Sequence, residues 1–137
     1  MKKLCAALVF VICILSVNFC SATDVWVTTE IDNDNVCYKT EYYLVTNYID
    51  TKDEMRMHRF DIILKRVFFF TDGNQSMTTR PFEFICVGEE DNGKYDWYVT
   101  QTNSTIWWCL VKEDPIFSKI LKACEPYVEL ARKYPIN

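Results

Sequence analysis

The chain has 137 residues, half of them hydrophobic and 15% aromatic, with a formal net charge of −4 at pH 7. This length and composition suit one domain with a hydrophobic core, and the acidic balance argues against nucleic acid or an anionic membrane as partner. We find no repeat, low-complexity run or Pro/Gly-rich linker in the sequence, so we expect no internal domain boundary.

Residues 1–22 have the pattern of a secretory signal peptide. Two lysines precede an apolar run, and Cys20-Ser21-Ala22 supplies a small-x-small cleavage site. The alternative is a membrane anchor, but the run is short for a spanning helix of roughly 20 residues. We therefore predict a secreted, extracellular protein whose single domain occupies residues 23–137.

Four of the seven cysteines remain once this leader is removed. An even number of cysteines in a short secreted chain predicts two disulfide bonds. The leader also carries two lysines, so 13 of the 15 basic residues then face 19 acidic ones, a net charge of −6. The remaining cysteines are Cys37, Cys86, Cys109 and Cys124.

The first half of the mature chain reads as strands. Asp24–Ile31 predicts a strand with Val25, Val27 and Thr29 on one face. The polar turn 32–35 that follows lacks the spaced ligands, central glycine and distal glutamate of a calcium loop, so we predict no metal there. Val36–Ile49, rich in Tyr, Val and Thr, predicts a second strand that the polar residues 50–53 end.

Residues 55–70 fit two structures. As a helix, four apolar residues between Met57 and Val67 would form a stripe, giving a cystatin-like α+β arrangement. We favour a strand, because Val67–Phe70 is strand-like and a hairpin turn at Thr71–Asn74 follows. Residues 75–87 would return from this turn, and Pro81 predicts an edge position or a bulge.

A meander between Pro81 and Val111 limits how the cysteines can pair. Two-residue turns at Asn92-Gly93 and Asn103-Ser104 would set Cys86 and Cys109 on opposite faces of the sheet, which disfavours a bond between them. Two pairings then remain: Cys37–Cys86 with Cys109–Cys124, which we favour slightly, or Cys37–Cys109 with Cys86–Cys124. The predicted cross-strand neighbours are Trp97 with Leu110, Val99 with Trp108, Tyr98 with Cys109, and Cys86 with Val99.

The chain ends in a predicted helix. Asp114 is a suitable N-cap and Pro115 a suitable first residue. An apolar stripe from Ile116 to Cys124 would pack on the sheet, and Pro126 predicts a kink or a second short helix through Tyr134. The fold class is therefore mainly β: an antiparallel meander or barrel-like sheet of six to eight strands with a C-terminal helix packed on it.

The sequence offers little for catalysis. His58 is the only histidine, and we find no nucleophile, zinc-protease, phosphate-loop or C-x-x-C motif around it or elsewhere. We therefore predict no enzyme, no metal site and no cofactor. Sequons at Asn74 and Asn103 fall at predicted turns and predict a glycoprotein.

Aromatic residues are the functional clue. Trp97, Trp107 and Trp108 fall on neighbouring predicted strands, with Tyr95 and Tyr98 nearby. They either fill the core or wall a pocket for an apolar or amine ligand. Alternation along the strands gives four candidate lining residues: Tyr42, Phe84, Trp97 and Trp108.

The order of features between Phe82 and Leu130 resembles the small, divergent lipocalins secreted by ticks and other arthropods. The similar parts are Cys86-Val87, a polar loop, the aromatic strand Tyr95-Asp96-Trp97, and a helix carrying Cys124. The resemblance implies an eight-stranded barrel, a helix packed outside it and a ligand in the mouth. It makes a carrier or scavenger of a small apolar or amine ligand the expected function.

The alternative is a secreted protein-binding module, such as an inhibitor or immune modulator, acting through loops or an exposed face. A cystatin-like inhibitor is its most concrete form. Against it, the sequence has no Q-x-V-x-G loop and no Pro-Trp hairpin.

Overall fold

The computed structural model describes residues 24–54, 57–89, 93–102 and 108–136. The expected leader, the Asn103 sequon and Trp107 lie outside these ranges. Within them, no helix combines the length and apolar character needed to cross a bilayer.

Strands dominate the described part of the chain. Six strands form one antiparallel sheet in which each strand pairs with its neighbour in sequence, so β1 and β6 are the two edges and the sheet does not close. This confirms the predicted fold class, mainly β. The described strands number six, the lower end of the predicted range of six to eight. The strands are β1 (Asp24–Ile31), β2 (Cys37–Glu54), β3 (Met57–Phe70), β4 (Gln75–Glu89), β5 (Lys94–Gln101) and β6 (Cys109–Leu110).

The described part of the ambiguous segment, Met57–Phe70, is a strand, as favoured. In β3, the alternate residues Phe60, Ile62 and Leu64 are buried, which is the period of two that a half-buried strand requires. Strand β2 is longer than predicted, because residues 50–53 continue it instead of ending it. There β3 supplies a pairing partner for each residue, and Asp53 lies opposite His58.

The alternation predicted for β1 is wrong, and the bulge that was one of two predictions for Pro81 is absent. A register shift between Trp26 and Thr28 breaks the alternation that we expected in β1, and Thr28 is buried while Trp26 is 57% exposed. Pro81 causes no bulge and lies opposite Ile63 in an unbroken ladder. It lies one residue beyond the last β4–β5 pair, and its carbonyl, which proline retains, accepts a hydrogen bond from Thr102 N–H (3.1 Å).

The predicted register of the meander is also wrong. The β4–β5 connection spans residues 90–93, which sets Cys86 opposite Trp97, and Cys109 lies opposite Val99. Cys86 and Cys109 therefore share a face of the sheet. They remain too far apart for a disulfide, because β5 separates them by two strand spacings, about 10 Å, and a bridge spans at most about 7 Å.

The remaining cross-strand predictions fail for the same reason. In the structure, Tyr98 rather than Trp97 lies opposite Leu110, and Phe84 rather than Cys86 lies opposite Val99. Val99 faces Cys109 instead of Trp108. The connections are longer than the two-residue turns that we assumed.

The first C-terminal helix begins where predicted, and a second short helix follows Pro126 and ends at Lys133, one residue before the predicted Tyr134. Helix α1 (Pro115–Cys124) starts after Asp114, whose Oδ1 accepts hydrogen bonds from the backbone N–H groups of Ile116 (2.9 Å) and Phe117 (3.1 Å). Pro126 lies between α1 and the short helix α2 (Glu129–Lys133). The apolar stripe of α1 faces the sheet, as expected.

Helix α1 covers the middle of one sheet face, which we call the helix face. Phe117 contacts Phe82 and Phe84 of β4, with ring centroids 5.2 and 6.3 Å apart, and Lys119 Nζ donates a hydrogen bond to Thr28 of β1 (3.3 Å). The helix thus fills the space that a barrel would leave for a ligand. The buried core between α1 and the sheet includes Leu44, Phe60, Ile62, Leu64 and Val99 of the strands and Ile120, Leu121 and Cys124 of α1.

Candidate ligand-binding pocket

The four predicted lining residues do not form one pocket. Phe84 is fully buried and stacks on Phe60 (5.3 Å between centroids), so it belongs to the core. Trp108 is 51% exposed and packs edge-on against Tyr98 (6.3 Å). Because Tyr98 alternates with buried Trp97, this pair lies on the face away from the helix.

Tyr42 and Trp97 both lie on the helix face but near different ends of the sheet. Tyr42 is half-buried, and its hydroxyl donates a hydrogen bond to Glu30 Oε2. Burial and this hydrogen bond raise the pKa of Tyr42. Trp97 is almost fully buried, and of the four it is the one that borders a cavity at the other end.

A pocket of about 360 Å³ opens at that end of the sheet. It is formed by the start of β3, the end of β4, the start of β5 and the segment that follows α2. We call it the aromatic pocket. Its walls are His58, Cys86, Gly88, Gly93, Tyr95, Lys133 and Tyr134.

Strand pairing places most of these residues. His58, Cys86 and Trp97 form one row across β3, β4 and β5. Two residues further along β4, Gly88 lies opposite Tyr95. A Cβ atom at Gly88 would lie 2.4 Å from the Lys94 carbonyl oxygen and 2.6 Å from Tyr95 Cβ, so the close approach of β5 depends on glycine.

The segment after α2 completes the pocket. Strand β6 pairs only with Tyr98 and Val99, and residues 134–136 cross the part of β5 that β6 does not reach. Two side chains of β5 hold this segment. Trp97 Nε1 donates a hydrogen bond to the Tyr134 carbonyl (2.7 Å), and the Tyr95 hydroxyl donates to the Pro135 carbonyl (2.8 Å).

The aromatic rings of the pocket meet at two angles. Tyr134 stacks on His58 with centroids 5.3 Å apart and an interplanar angle of 21°, and its hydroxyl lies 3.4 Å from His58 Nε2. Tyr95 meets Tyr134 edge-on at 5.1 Å and 72°. Such walls suit a flat apolar group, which can stack on one ring and contact the edge of another.

The pocket has low polarity. Burial raises the pKa of the Cys86 thiol to about 12, with a further contribution from Asp96. Burial, followed by the nearby Cys86 and Tyr134, also raises the pKa of Tyr95. Both groups are therefore protonated and neutral at pH 7, and Cys86 is not a thiolate nucleophile. The ammonium group of Lys133 lies 5.1 Å from the Tyr134 ring and places a cation at the mouth.

A neighbouring cleft of about 480 Å³ shares Gly93 and Tyr95 with the aromatic pocket and is also lined by Trp97. Sequence reasoning thus identified Trp97 and noted Tyr95, but it missed His58 and Tyr134. A single histidine on a strand carried no signal, and only the return of the chain after α2 brings Tyr134 to it.

The other predicted sites have mixed outcomes. All four cysteines are free thiols in the structure, which therefore contains neither predicted disulfide pairing. Asn74 is exposed in the β3–β4 turn after Gly73 (φ +85°), which confirms the turn and leaves its glycosylation a prediction. In the described ranges, no group of three or more His, Cys, Asp or Glu side chains is arranged so that it could hold a metal ion.

No protein-family model matches this chain, and neither the curated proteins nor the solved structures include a match. The lipocalin resemblance therefore stays a prediction.

Proposed function

We propose that the protein is a secreted carrier or scavenger that binds a small apolar ligand in the aromatic pocket. The supporting observation is the set of rings from His58, Tyr95 and Tyr134 around a cavity of about 360 Å³. That volume is at the lower end of the range for small-molecule sites. The role is still lipocalin-like, but the site lies at the end of an open sheet, because α1 covers the middle of the helix face.

The pocket favours an apolar ligand over an amine. The described walls are mainly aromatic, and the buried Cys86 and Tyr95 among them are neutral. An amine that enters these walls would lose its hydration without gaining a negative partner from Cys86 or Tyr95. A flat ring system with at most one polar group fits these walls.

Calorimetric titration with aromatic alcohols, fatty acids and aromatic amines tests the proposal. His58→Ala and Tyr134→Ala each remove one wall, and we expect at least about a tenfold loss of affinity, or about 1.4 kcal/mol, for the best ligand. Tyr38→Ala removes a partly exposed tyrosine outside the pocket lining and serves as the matched control. If no compound binds, or if the wall variants bind as the wild type does, the proposal is wrong.

The second candidate is a protein-binding module, as an inhibitor or immune modulator would be. The exposure of Trp26 and Trp108 favours it, because large exposed aromatic residues are enriched at protein contacts. Replacing either tryptophan by alanine would then weaken capture of an extracellular partner and leave small-ligand binding unchanged. A partner captured equally by both variants would count against these surfaces.

A further inference from the structure

A third cavity, of about 590 Å³, lies at the opposite end of the sheet from the aromatic pocket. It is bordered by the end of β1, the start of β2 and the end of β3. We call it the acidic groove and define it by Glu30, Asp32, Tyr38, Phe68 and Phe70.

The floor of the acidic groove is apolar. Phe68 and Phe70 have the same alternation as Phe60, Ile62 and Leu64, so they lie on the helix face. They are only half-buried. Toward this end of the sheet, α1 contacts Thr28 through Lys119, and Tyr42 aligns Thr28 with Arg66, two residues from Phe68 along β3, or about 7 Å. The described helices therefore cover these two rings less completely than the core residues.

The rim of the acidic groove is negatively charged. Glu30 and Asp32 line it, and the neighbouring turns carry Asp34 and Asp72. The Glu30 carboxylate is held in place by the Tyr42 hydroxyl. These groups together favour a positively charged occupant.

Lys39 also lines the groove, and Arg66 and Lys119 lie nearby, but these three basic residues do not cancel the negative charge. The Lys39 ammonium bonds to Glu41 (3.0 Å) and lies over the Phe69 ring (3.8 Å), which alternates with Phe68 and so lies on the other face. Arg66 lies two residues before Phe68 in β3, and its Cζ atom is 5.6 Å from the centroid of the Phe68 ring. With Lys39 paired to Glu41, Arg66 and Lys119 are outnumbered by the carboxylates of Glu30 and Asp32 in the lining and of Asp34 and Asp72 in the adjoining turns.

The edge of the sheet adjoins the groove. β1 is the first strand of the described sheet, so main-chain groups along its outer side can pair with an extended segment of another chain. A second copy of this protein would bring the same carboxylates against each other and is disfavoured. Charge and shape instead fit a basic, extended segment.

We propose that the acidic groove docks an extended, basic segment of an extracellular partner protein. Lysine or arginine side chains of the segment pair with Glu30 and Asp32, and an apolar side chain packs on Phe68 and Phe70. Its main chain lies along β1. This proposal does not depend on the aromatic pocket, so either site can fail without the other.

The test uses two synthetic hexapeptides, acetylated and amidated, in which lysine or glutamate alternates with valine and phenylalanine. ¹⁵N-labelled full-length protein is titrated with each peptide, and amide shifts are mapped. We expect the lysine peptide to shift residues around 30–40 and 68–76, with an affinity that falls as salt rises. We expect the glutamate peptide to leave these residues unshifted.

Matched variants separate a specific site from general charge attraction. Glu30→Gln with Asp32→Asn removes two charges from the groove, whereas Glu113→Gln with Glu129→Gln removes two exposed charges elsewhere. We expect at least about a fivefold loss of affinity for the first pair and no change for the second. Phe68→Leu keeps all charges and should also weaken binding, with thermal denaturation confirming that each variant is folded.

Four outcomes would overturn the proposal. These are no binding of the lysine peptide, equal binding of both peptides, equal loss in both charge variants, and shifts that map outside the groove. Sedimentation that shows dimers occupying the groove would identify a second copy as the occupant instead.

Discussion

Gly88 sets the distance between β4 and β5 at the aromatic pocket. Alanine there would place its Cβ against backbone atoms of Lys94 and Tyr95, which cannot rotate away as a side chain could. We expect Gly88→Ala to lower the free energy of unfolding by about 1–3 kcal/mol, the range for overpacking, as measured by urea denaturation. It should also displace Tyr95 and weaken ligand binding.

Gly73→Ala is the control for Gly88. Its Cβ would meet no atom within 4 Å, although its φ of +85° makes alanine unfavourable by about 1–2 kcal/mol. Both variants should therefore be less stable than the wild type, but only Gly88→Ala should change ligand affinity. Unchanged affinity in Gly88→Ala would show that the close approach of β5 does not shape the pocket.

The Cys124 thiol makes the free energy of unfolding depend on pH in the alkaline range. Burial raises the pKa of its thiol to about 12, against about 8.5 for an unfolded cysteine, so the folded state holds this proton more tightly. The stabilisation is complete below about pH 8.5 and is lost as pH rises toward about 12, by up to about 1.4 kcal/mol per pH unit. We expect Cys124→Ala to lose stability less steeply than the wild type between about pH 8 and about pH 11 under reducing conditions.

Val128→Ala provides the comparison for Cys124→Ala. Val128 is also buried in the core, but it has no titratable group. Its free energy of unfolding should be lower at every pH while keeping the wild-type slope. A Cys124→Ala curve parallel to that of the wild type would contradict the assignment of the slope to this thiol.

Helix α1 depends on its cap at Asp114. Two backbone N–H groups donate to this carboxylate, and without them the first turn would lose its partners. We expect Asp114→Ala to lower the free energy of unfolding by about 1 kcal/mol and Asp114→Asn, which keeps an acceptor, to cost less. Urea denaturation measures both. Equal stability of the alanine variant and the wild type would show that the cap is unimportant.

The elements differ in how far the sequence predicts them. The alternation in β3 and the Asp114-Pro115 pair depend on local geometry, and both were predicted correctly. Cross-strand register depends on the lengths of the connections near residues 90–93 and 102–108, and turn residues occur at several positions in each. A shift of one residue in β6 changed its cross-strand partners and brought Cys109 to the face that Cys86 occupies.

The aromatic pocket was predictable only in part. Its strand residues follow from pairing once the register is known, as the row of His58, Cys86 and Trp97 illustrates. Tyr134 follows two helices, and no local pattern indicates where the chain returns after them. The apolar stripe of α1 predicted that the helix packs on the sheet. It did not predict that α1 would cover the middle of the helix face, where a ligand was expected.

The full length of the sheet determines which cysteines can meet. Cys37 lies opposite Phe70 and Cys86 lies opposite His58, positions twelve residues apart on β3, or about 40 Å. Cys109 is aligned with Phe60 through Val99 and Phe84, so it is similarly distant. Neither predicted bridge to Cys37 fits this fold. Each predicted pairing therefore loses its bond to Cys37. The bond that remains is Cys109–Cys124 in the first pairing and Cys86–Cys124 in the second.

We therefore expect Cys37 to be alkylated by iodoacetamide in the folded, unreduced protein. Peptide mapping by mass spectrometry reports the modified site. Samples reduced and denatured before alkylation provide the control in which all cysteines react. Recovery of a peptide that joins Cys37 to Cys86 or Cys109 would contradict the register of the sheet.

The central claim is that the ligand binds in the aromatic pocket at the end of the sheet and not between α1 and the middle of the sheet. The Trp97 indole N–H, which donates to the Tyr134 carbonyl, lies at this end, whereas Trp26 is exposed on β1. The most direct test is ¹H–¹⁵N NMR of the indole groups during titration with the tightest ligand found by calorimetry. We predict that the Trp97 resonance shifts and saturates at the calorimetric affinity while that of Trp26 stays fixed. Saturable binding that leaves Trp97 unshifted would contradict the claim.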